Sequence, residues 1–395
     1  MKFSFSLPWR KAEAGARPAV ETKASQFGAG FVALHQTVGA QWSGRSFGAL
    51  AHAGYMRNPI GHRCVRLIAE AGASVPLIAY EGDRELDRHP VLELMAAPNG
   101  SQAGVEFREA LIGQLVLSGN AYVEAVGIGE RLRELHLLRP DLVTPVEDRS
   151  GWLTGYDYSC RGQKRRIGLG HAGEGGLMHL RLFNPLDAHM GFPPLAAAAM
   201  ALDLHNQAAI WNKALLDNSA RPSGALVYQP KEGGNLTEEQ YERLKEELEE
   251  GYSGARRAGR PLLLEGGLDW KAMALTPREM DFVEAKNGAA RDIALALGVP
   301  PMLLGIPGDN TYANYQEANR AFYRLTILPL MTRICARLTH WLCPAFGDDI
   351  RINFDTDQIA GLAIEREADW KRLQAADFLT EDEKRKAVGY EPLER

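Results

Sequence analysis

The feature that most constrains the fold is a long stretch without glycine that follows two consecutive prolines. Residues 195–216 are rich in alanine and leucine, and Pro193 and Pro194 precede them. Proline is tolerated in the first helical turn because its missing N–H has no intrahelical partner there, so the pattern predicts one helix over residues 194–218. At about 1.5 Å per residue this helix extends roughly 37 Å, which is long for a globular domain and typical of a strut.

A second long helix is predicted beyond a small charged insertion. The insertion opens with a strand at residues 224–228 and a capping box at 237–240, which begins a glutamate-rich helix. A hairpin over residues 261–275 closes the insertion. A helix over residues 277–297 follows and ends at Gly298. The order is therefore long helix, charged insertion, long helix.

The first half of the chain alternates short amphipathic helices with short strands. Helical spacing of apolar residues covers 60–71 and 107–116, and strands are predicted at 75–80, 121–126 and 132–138. The strands follow one another too closely for parallel crossovers, which need a dozen or more residues. We therefore expect an α+β unit with antiparallel pairing.

The last third is predominantly helical. Residues 315–342 keep an apolar stripe on both sides of Pro329, which predicts one kinked helix rather than two separate helices. A loop rich in glycine and proline at 305–310 precedes it. A strand at 350–354 and a charged helical segment at 364–376 follow.

Composition narrows the class of protein. The net charge is −5, so the chain lacks the global basic character of proteins that hold nucleic acid through its phosphates. The longest apolar stretch, 195–202, is far shorter than the roughly 20 residues that span a bilayer, and residues 1–41 contain no apolar run of signal-peptide length. We expect no membrane segment and a flexible N-terminal arm.

The cysteines form no C-x-x-C pair, so reduced thiols are expected at all four positions: Cys64, Cys160, Cys335 and Cys343.

Two strings match enzyme motifs without the context that the chemistry needs. Residues 168–173 fit G-x-G-x-x-G, but Gly175 and Gly176 stand where the helix of a dinucleotide site would begin. Ser46 is the centre of a G-x-S-x-G string, but no buried strand is predicted before it, as a nucleophile elbow requires. The chain contains neither a phosphate-binding loop with a Gly-Lys pair nor an H-E-x-x-H string. We expect no catalytic residue, cofactor or metal, and a hydrolase using Ser46 is the alternative from the enzyme class.

Several segments, in one fixed order, resemble the HK97-type phage portal family over about residues 55–355. The matching segments are 64–70 (CVRLIAE), 75–77 (VPL), 89–92 (HPVL), 97–99 (APN), 119–122 (GNAY), 138–140 (LRP), 191–195 (GFPPL), 220–224 (ARPSG), 264–270 (LEGGLDW), 296–305 (ALGVPPMLLG) and 311–314 (TYAN).

The resemblance implies a portal fold with an α+β wing, a two-helix stem, a small α/β clip, a kinked long helix and a helical crown, assembled as a ring oligomer of about twelve subunits. The implied ranges are 1–41 for a flexible arm, 42–192 for the wing, 193–220 and 277–300 for the stem helices, 221–276 for the clip, 301–314 for a tunnel loop, 315–354 for the kinked wing helix and its strand, and 355–395 for the crown.

The implied function is that of a head–tail connector whose axial channel carries double-stranded DNA during packaging and ejection at one capsid vertex. The implied partners are further copies of the chain, double-stranded DNA held transiently and without sequence preference, the major capsid protein, the terminase large subunit and a head-completion adaptor. The implied location is a virion or phage-like particle that is assembled in the bacterial host cytoplasm. Two alternatives stay open: the portal of a gene transfer agent, which is a phage-derived particle that packages host DNA, and a tail-ring or adaptor protein, which would lack the two long helices around a charged insertion.

Two groups of residues are the candidate site. The tunnel loop nearest DNA would consist of Gly305, Pro307, Gly308, Asp309, Asn310, Thr311 and Tyr312. The clip and subunit interface would contain Glu246, Glu250, Arg256, Arg257 and Arg260. In this second group a basic cluster directly follows an acidic helix, which favours charge matching between neighbouring subunits of a ring.

Overall fold

The computed structural model describes residues 44, 46–128, 131–217, 224–228, 237, 239, 242–243, 268–272, 282–307, 312–347 and 349–388. The chain divides into two compact units, of which the smaller comprises Met1–Gly39 and Ser223–Met273 and the larger comprises Ala40–Pro222 and Ala274–Arg395. The predicted arm at residues 1–41 lies outside the described residues.

The larger unit has a helix at each place where helical spacing was recognised in the sequence. Its helices are α1 Phe47–Leu50, α2 Pro59–Ser74, α3 Pro90–Ala96, α4 Gly104–Ser118, α5 Pro194–Ala197, α6 Ala199–Asp217, α7 Phe282–Ala296, α8 Tyr312–Phe322, α9 Leu328–Leu342, α10 Ala363–Gln374 and α11 Glu381–Ala387. In the part of the chain that the structure describes, no helix combines the length and the apolar character that crossing a bilayer requires.

Short strands form small antiparallel sheets, which confirms the predicted α+β class. The strands are β1 Leu77–Glu81, β2 Arg84–Leu86, β3 Asn120–Ile128, β4 Arg131–Leu138, β5 Val143–Glu147, β6 Leu153–Cys160, β7 Gln163–Gly168, β8 Leu177–Arg181, β9 Gly224–Tyr228, β10 Leu268–Ala272 and β11 Ile350–Phe354. Three sheets lie in the larger unit, with the strand orders β11-β1-β2, β4-β3-β8 and β5-β6-β7. In the smaller unit, β9 pairs with β10.

The predicted single helix over residues 194–218 is wrong at its N-terminal end. Ala198, with φ −92° and ψ 10°, separates α5 from α6. Leu195 of α5 is fully buried, and its side chain lies against the backbone of Gly54, where even a Cβ would come within 2.6 Å. Tertiary packing of this first turn therefore overrides the helix propensity of the alanine-rich sequence.

The helical run around Pro329 is continuous, and a π-helical turn at Tyr323–Ile327 joins α8 to α9. The N–H of Leu328 bonds to the carbonyl of Tyr323, five residues earlier. Because proline has no N–H and its ring crowds the preceding turn, a wider turn at this point removes the clash. The run begins at Tyr312, not at residue 315 as predicted, so Tyr312 belongs to a helix.

The large apolar side chains of the larger unit form one main core. Trp341, Phe107 and Phe322 are among its largest fully buried members. A smaller cluster that contains Tyr122, Tyr156 and Ile167 joins the sheet around β3 to the sheet around β6.

All four cysteines are free thiols in the structure, and three of them lie in the interior. Burial raises the pKa of Cys64 and Cys335 to about 12 and that of Cys343 to about 11. These three thiols are therefore uncharged and inert at neutral pH.

Candidate functional site

The two long helices that the sequence predicted pack against each other in the larger unit, as α6 and α7. His205 of α6 has a lowered pKa because it is buried and because Lys286 of α7 adds a nearby positive charge. Residues 273–281, where the second helix was predicted to begin, lie outside the described residues.

Asn58 joins the long helix α6 to the beginning of α2. Its Oδ1 accepts from the N–H groups of Ile60 at 3.0 Å and Gly61 at 2.9 Å, which caps α2. Its amide nitrogen donates to Asn206 Oδ1 at 2.9 Å and lies 3.3 Å from His205 Nδ1. The position of α6 relative to the α+β half is thereby fixed by a buried polar network.

The segment that leads into α5 contacts the backbone at the start of β3. Gly119, with φ +75°, and Gly191 approach so closely that a Cβ on Gly191 would lie 2.0 Å from the Gly119 carbonyl oxygen. Asn120 Oδ1 accepts from Gly191 N at 2.7 Å and from His179 Nε2 at 2.9 Å. The segments 119–122 (GNAY) and 191–195 (GFPPL), which were recognised separately in the sequence, are therefore in direct backbone contact.

The predicted tunnel loop is only partly described, and its described part is well anchored. Gly298, with φ +68°, ends α7, and its carbonyl accepts from Thr326 Oγ1 at 2.5 Å. Pro301–Leu304 is a 3-10 turn rather than open loop, and Gly305 after it has φ +70°.

Two further contacts hold the beginning of the loop. Ile306 is buried, and Arg291 of α7 donates to the Pro307 carbonyl oxygen at 2.5 Å. The described parts of the predicted range 301–314 are therefore an anchored turn and, from Tyr312, the start of α8.

Most of the predicted site residues lie outside the described residues, so the structure does not place their side chains. They are Gly308, Asp309, Asn310 and Thr311 of the tunnel loop, and Glu246, Glu250, Arg256, Arg257 and Arg260 of the clip.

The two enzyme motifs have structural roles. Ser46 Oγ accepts from Ala49 N at 3.3 Å and so caps α1. The glycine string at 168–173 connects β7 to a 3-10 turn at Ala172–Glu174, and β8 follows instead of a long helix. Within the described ranges, no group of three or more His, Cys, Asp or Glu side chains has the arrangement of a metal site.

One group of arginines that sequence reasoning missed lies in a cleft of 640 Å³ between β8 and α9. Arg181, Arg333 and Arg337 line it, and we call it the arginine cleft. The sequence carries a signal for it, because residues 318–347 contain four arginines and no acidic residue. Helical spacing of Arg333 and Arg337 places both on one face of α9.

A comparison with protein families identifies residues 59–389 as a phage portal protein. Among curated proteins, a Rickettsia felis protein is 42% identical over 342 residues, covering 86% of this chain and 88% of the relative. The portal protein of Enterobacteria phage HK97 is 25% identical over 352 residues, covering 84% of this chain and 78% of the relative.

Solved structures of gene transfer agent (GTA) particles contain similar chains. A chain in the neck of an empty GTA particle, computed with C6 symmetry, is 52% identical, with a TM-score of 0.72 and coverage of 89% of this chain and 96% of that chain. A chain in the neck of a native particle, computed with C12 symmetry, is also 52% identical, with a TM-score of 0.69 and coverage of 89% and 95%. The chain therefore belongs to the HK97-type phage portal family, a family of structural proteins.

Proposed function

We propose that this chain is a portal subunit, which assembles head to tail into a closed ring of about twelve copies around an axial channel for double-stranded DNA. The observation that carries the proposal is the 52% identity, over 89% of the chain, to a component of a particle neck with C12 symmetry. The channel would carry DNA into the capsid during packaging and out of it during ejection, at one vertex.

The chain would be divided into a wing, a stem, a clip and a crown. The wing would comprise 42–192 and 315–354, the stem 193–220 and 277–300, the clip 221–276 and the crown 355–395. The packing of α6 against α7 supports a two-helix stem, and the β9-β10 pair supports strands within the clip. Residues 1–41 would form the arm.

The tunnel loop at 301–314 would come nearest to DNA. Its described start is anchored by Arg291 and Ile306, and we propose that the residues after Pro307 contact the DNA. A net charge of −5 suits a channel in which DNA must slide, because many tight phosphate contacts would hold it in place.

The partners proposed for the ring are the terminase large subunit and later a head-completion adaptor at the clip, and the major capsid protein around the ring. The location proposed is a virion or phage-like particle, assembled in the cytoplasm of the bacterial host. The charge match of Glu246 and Glu250 with Arg256, Arg257 and Arg260 would add to contacts between subunits at the clip.

We propose that the particle is a gene transfer agent rather than a phage. The identity to GTA neck chains is 52%, whereas the identity to the phage HK97 portal is 25%. Sequencing of nuclease-protected DNA from purified particles tests this proposal. Fragments from the whole host genome are expected, and strong enrichment of the region that carries the particle's own genes would contradict the proposal.

A ring is tested by light scattering and electron microscopy of the purified protein. We expect closed rings with an axial hole and a mass near twelve times 43.5 kDa. A compact monomer that stays monomeric with capsid protein present would contradict the proposal.

The tunnel loop is tested by measuring packaged DNA in a variant with a deletion within residues 308–311, which leaves the anchored Ile306 and Pro307 in place. The expected result is normal rings with little packaged DNA, because the loop acts on DNA and not on assembly. The matched control is an equal shortening of the exposed β5-β6 turn at 148–151, which should package normally. Full DNA yield from the loop variant would exclude a tunnel role.

We propose no catalytic role for Ser46. Since its hydroxyl caps α1, Ser46→Ala should lower helix stability by about 1 kcal/mol and leave particle production unchanged. If the purified protein showed a hydrolase activity that was lost in Ser46→Ala, the proposal that Ser46 has no catalytic role would be overturned.

A further inference from the structure

The arginine cleft contains two like charges on one helix face. Arg333 and Arg337 are one turn apart on α9, and the Arg333 Nη1 donates to the main-chain oxygen of Arg181 at 3.4 Å. Like charges at this spacing destabilise a helix. The arrangement therefore favours an acidic group between them.

Among the described residues, Arg333 and Arg337 have no carboxylate partner, and the charge of Arg181 acts on Asp187. No ion pair from Arg181, Arg333 or Arg337 is formed within the part of the chain that the structure describes, and the Arg337 Nε is buried without a hydrogen-bond partner. Burial lowers the pKa of Arg337, and Arg181 lowers it further. Burying a guanidinium without an acceptor is unfavourable, so an acceptor from outside the subunit would be stabilising.

A neighbouring basic run differs from the cleft in its ion pairs. Lys164 and Arg166 pair with Asp157 at 2.8 and 2.6 Å, and Arg165 pairs with Glu124. In that run, each basic side chain has a carboxylate partner in its own subunit.

The cleft has apolar walls as well as positive charge. Leu153 and Leu169 line it beside the arginines, and its volume of 640 Å³ is sufficient for an aromatic side chain together with a carboxylate. The cleft floor includes His179, which is held uncharged by burial, so the arginines supply the positive charge. The chemistry fits an acidic segment that carries an aromatic residue.

The C-terminal part of this chain contains such a segment. Asp377, Phe378 and Glu381 lie at the junction of α10 and α11, and all three are exposed. The Phe378 side chain is 85% exposed, which is unusual for an aromatic residue between acidic ones. In a head-to-tail ring, one surface of each subunit meets a different surface of the next, so a basic cleft and an acidic segment can pair around the whole ring.

We propose that the arginine cleft of one subunit binds the acidic segment 377–381 of a neighbouring copy of this chain. Asp377 and Glu381 accept from Arg333 and Arg337, and Phe378 packs against the apolar wall of the cleft. This inference rests on the proposed function, because it requires a ring of copies.

The test is a charge exchange, measured as the protein concentration at which half of the subunits are in rings. Arg333→Glu with Arg337→Glu, and separately Asp377→Arg with Glu381→Arg, should each raise that concentration by about tenfold or more. The variant with all four changes should return to within about threefold of wild type, because the opposite charges face each other again. The matched control, Arg84→Glu with Arg131→Glu, changes exposed arginines outside the cleft and should assemble normally.

Folding and contact are checked separately. Because Arg337 is partly buried, Arg333→Glu alone is a second variant, and each variant should keep the circular dichroism spectrum of the wild type. Cysteines at the exposed positions 336 and 378, introduced as Ala336→Cys and Phe378→Cys, should form disulfides between subunits when assembled rings are treated with a mild thiol oxidant.

The outcomes separate this inference from the proposed function. Absence of wild-type rings, even with capsid protein present, would contradict the proposed function. Normal rings from both reversed variants would overturn the inference and leave the function standing. Loss of rings on reversal of the cleft alone, with no rescue and no cross-link, would overturn the acidic segment as the occupant.

Discussion

At the scale of single residues, two glycines explain why segments far apart in the sequence are needed together. Gly119 and Gly191 bring two backbones into contact, and Asn120 bonds to the Gly191 N–H. The sequence identified both segments through their resemblance to a family. Their mutual contact could not be predicted, because no local pattern encodes an approach between residues so far apart along the chain.

Gly191→Ala should destabilise the fold by about 3 kcal/mol, since the new Cβ would overlap the Gly119 carbonyl. The matched control is Gly113→Ala in the middle of α4, where a Cβ meets no atom within 4 Å. That change should stabilise the protein by about 0.5–1 kcal/mol, because alanine favours a helix interior. Denaturant unfolding measures both, and equal effects would contradict this account.

His179 makes stability depend on pH. Burial, with Arg181 and Arg337 nearby, lowers its pKa from 6.5 to about 3. Below pH 6.5 the unfolded chain therefore binds a proton at His179, whereas the folded chain does not. The contribution of His179 to the free energy of unfolding is present above pH 6.5 and is lost as the pH falls toward 3.

Between pH 7.5 and 5.0 the wild type should lose about 2 kcal/mol from this group, at about 1.4 kcal/mol per pH unit below 6.5. His179→Gln has no such proton to bind and should lose correspondingly less over the same interval. Unfolding free energies of both proteins at the two pH values measure the difference. Parallel losses would contradict the assignment to His179.

At the scale of elements, hydrophobic spacing predicted the helices and strands of the α+β half well, because local periodicity reports which face is buried. Hydrophobic spacing failed where tertiary contacts determine the backbone conformation or the strand pairing. Burial of Leu195 breaks the long helix at Ala198, and the β9-β10 pairing joins strands separated by the whole insertion. The arginine cleft was missed because its members come from a strand and a distant helix.

Asn58 provides an element-scale test, since it caps α2 and also bonds to α6. Asn58→Ala should cost about 3 kcal/mol, of which the cap is about 1 kcal/mol and the bonds to α6 are the rest. Asn206→Ala removes contacts with Asn58 and the Ala53 carbonyl but keeps the cap, so it should cost about 1–2 kcal/mol. Equal losses would mean that the cap contributes nothing.

At the scale of the whole molecule, the main core joins elements from both ends of the larger unit. Cys64 lies in α2, whereas Cys335 lies in α9 and Cys343 lies just after it, and all three belong to this one core. A family resemblance could predict the architecture, but only the structure shows that these thiols share an interior.

Pulse labelling with iodoacetamide at increasing denaturant should therefore modify Cys64, Cys335 and Cys343 together, in one transition, because one core opens as a unit. Cys160, which is only partly buried, serves as the internal control and should react before that transition. Peptide mass spectrometry distinguishes the sites. Separate transitions for Cys64 and Cys335 would show that the larger unit unfolds in parts.

The π-helical turn at Tyr323–Ile327 has a consequence for insertions and deletions. One extra residue in a turn rotates everything after it by about 100°, given about 3.6 residues per turn. Met331, Ile334 and Leu338 face the core only because of that rotation. A deletion of one residue from the turn would preserve a helix and yet expose its apolar face, so the number of residues at this point is constrained as well as the identity of buried side chains such as Ile327.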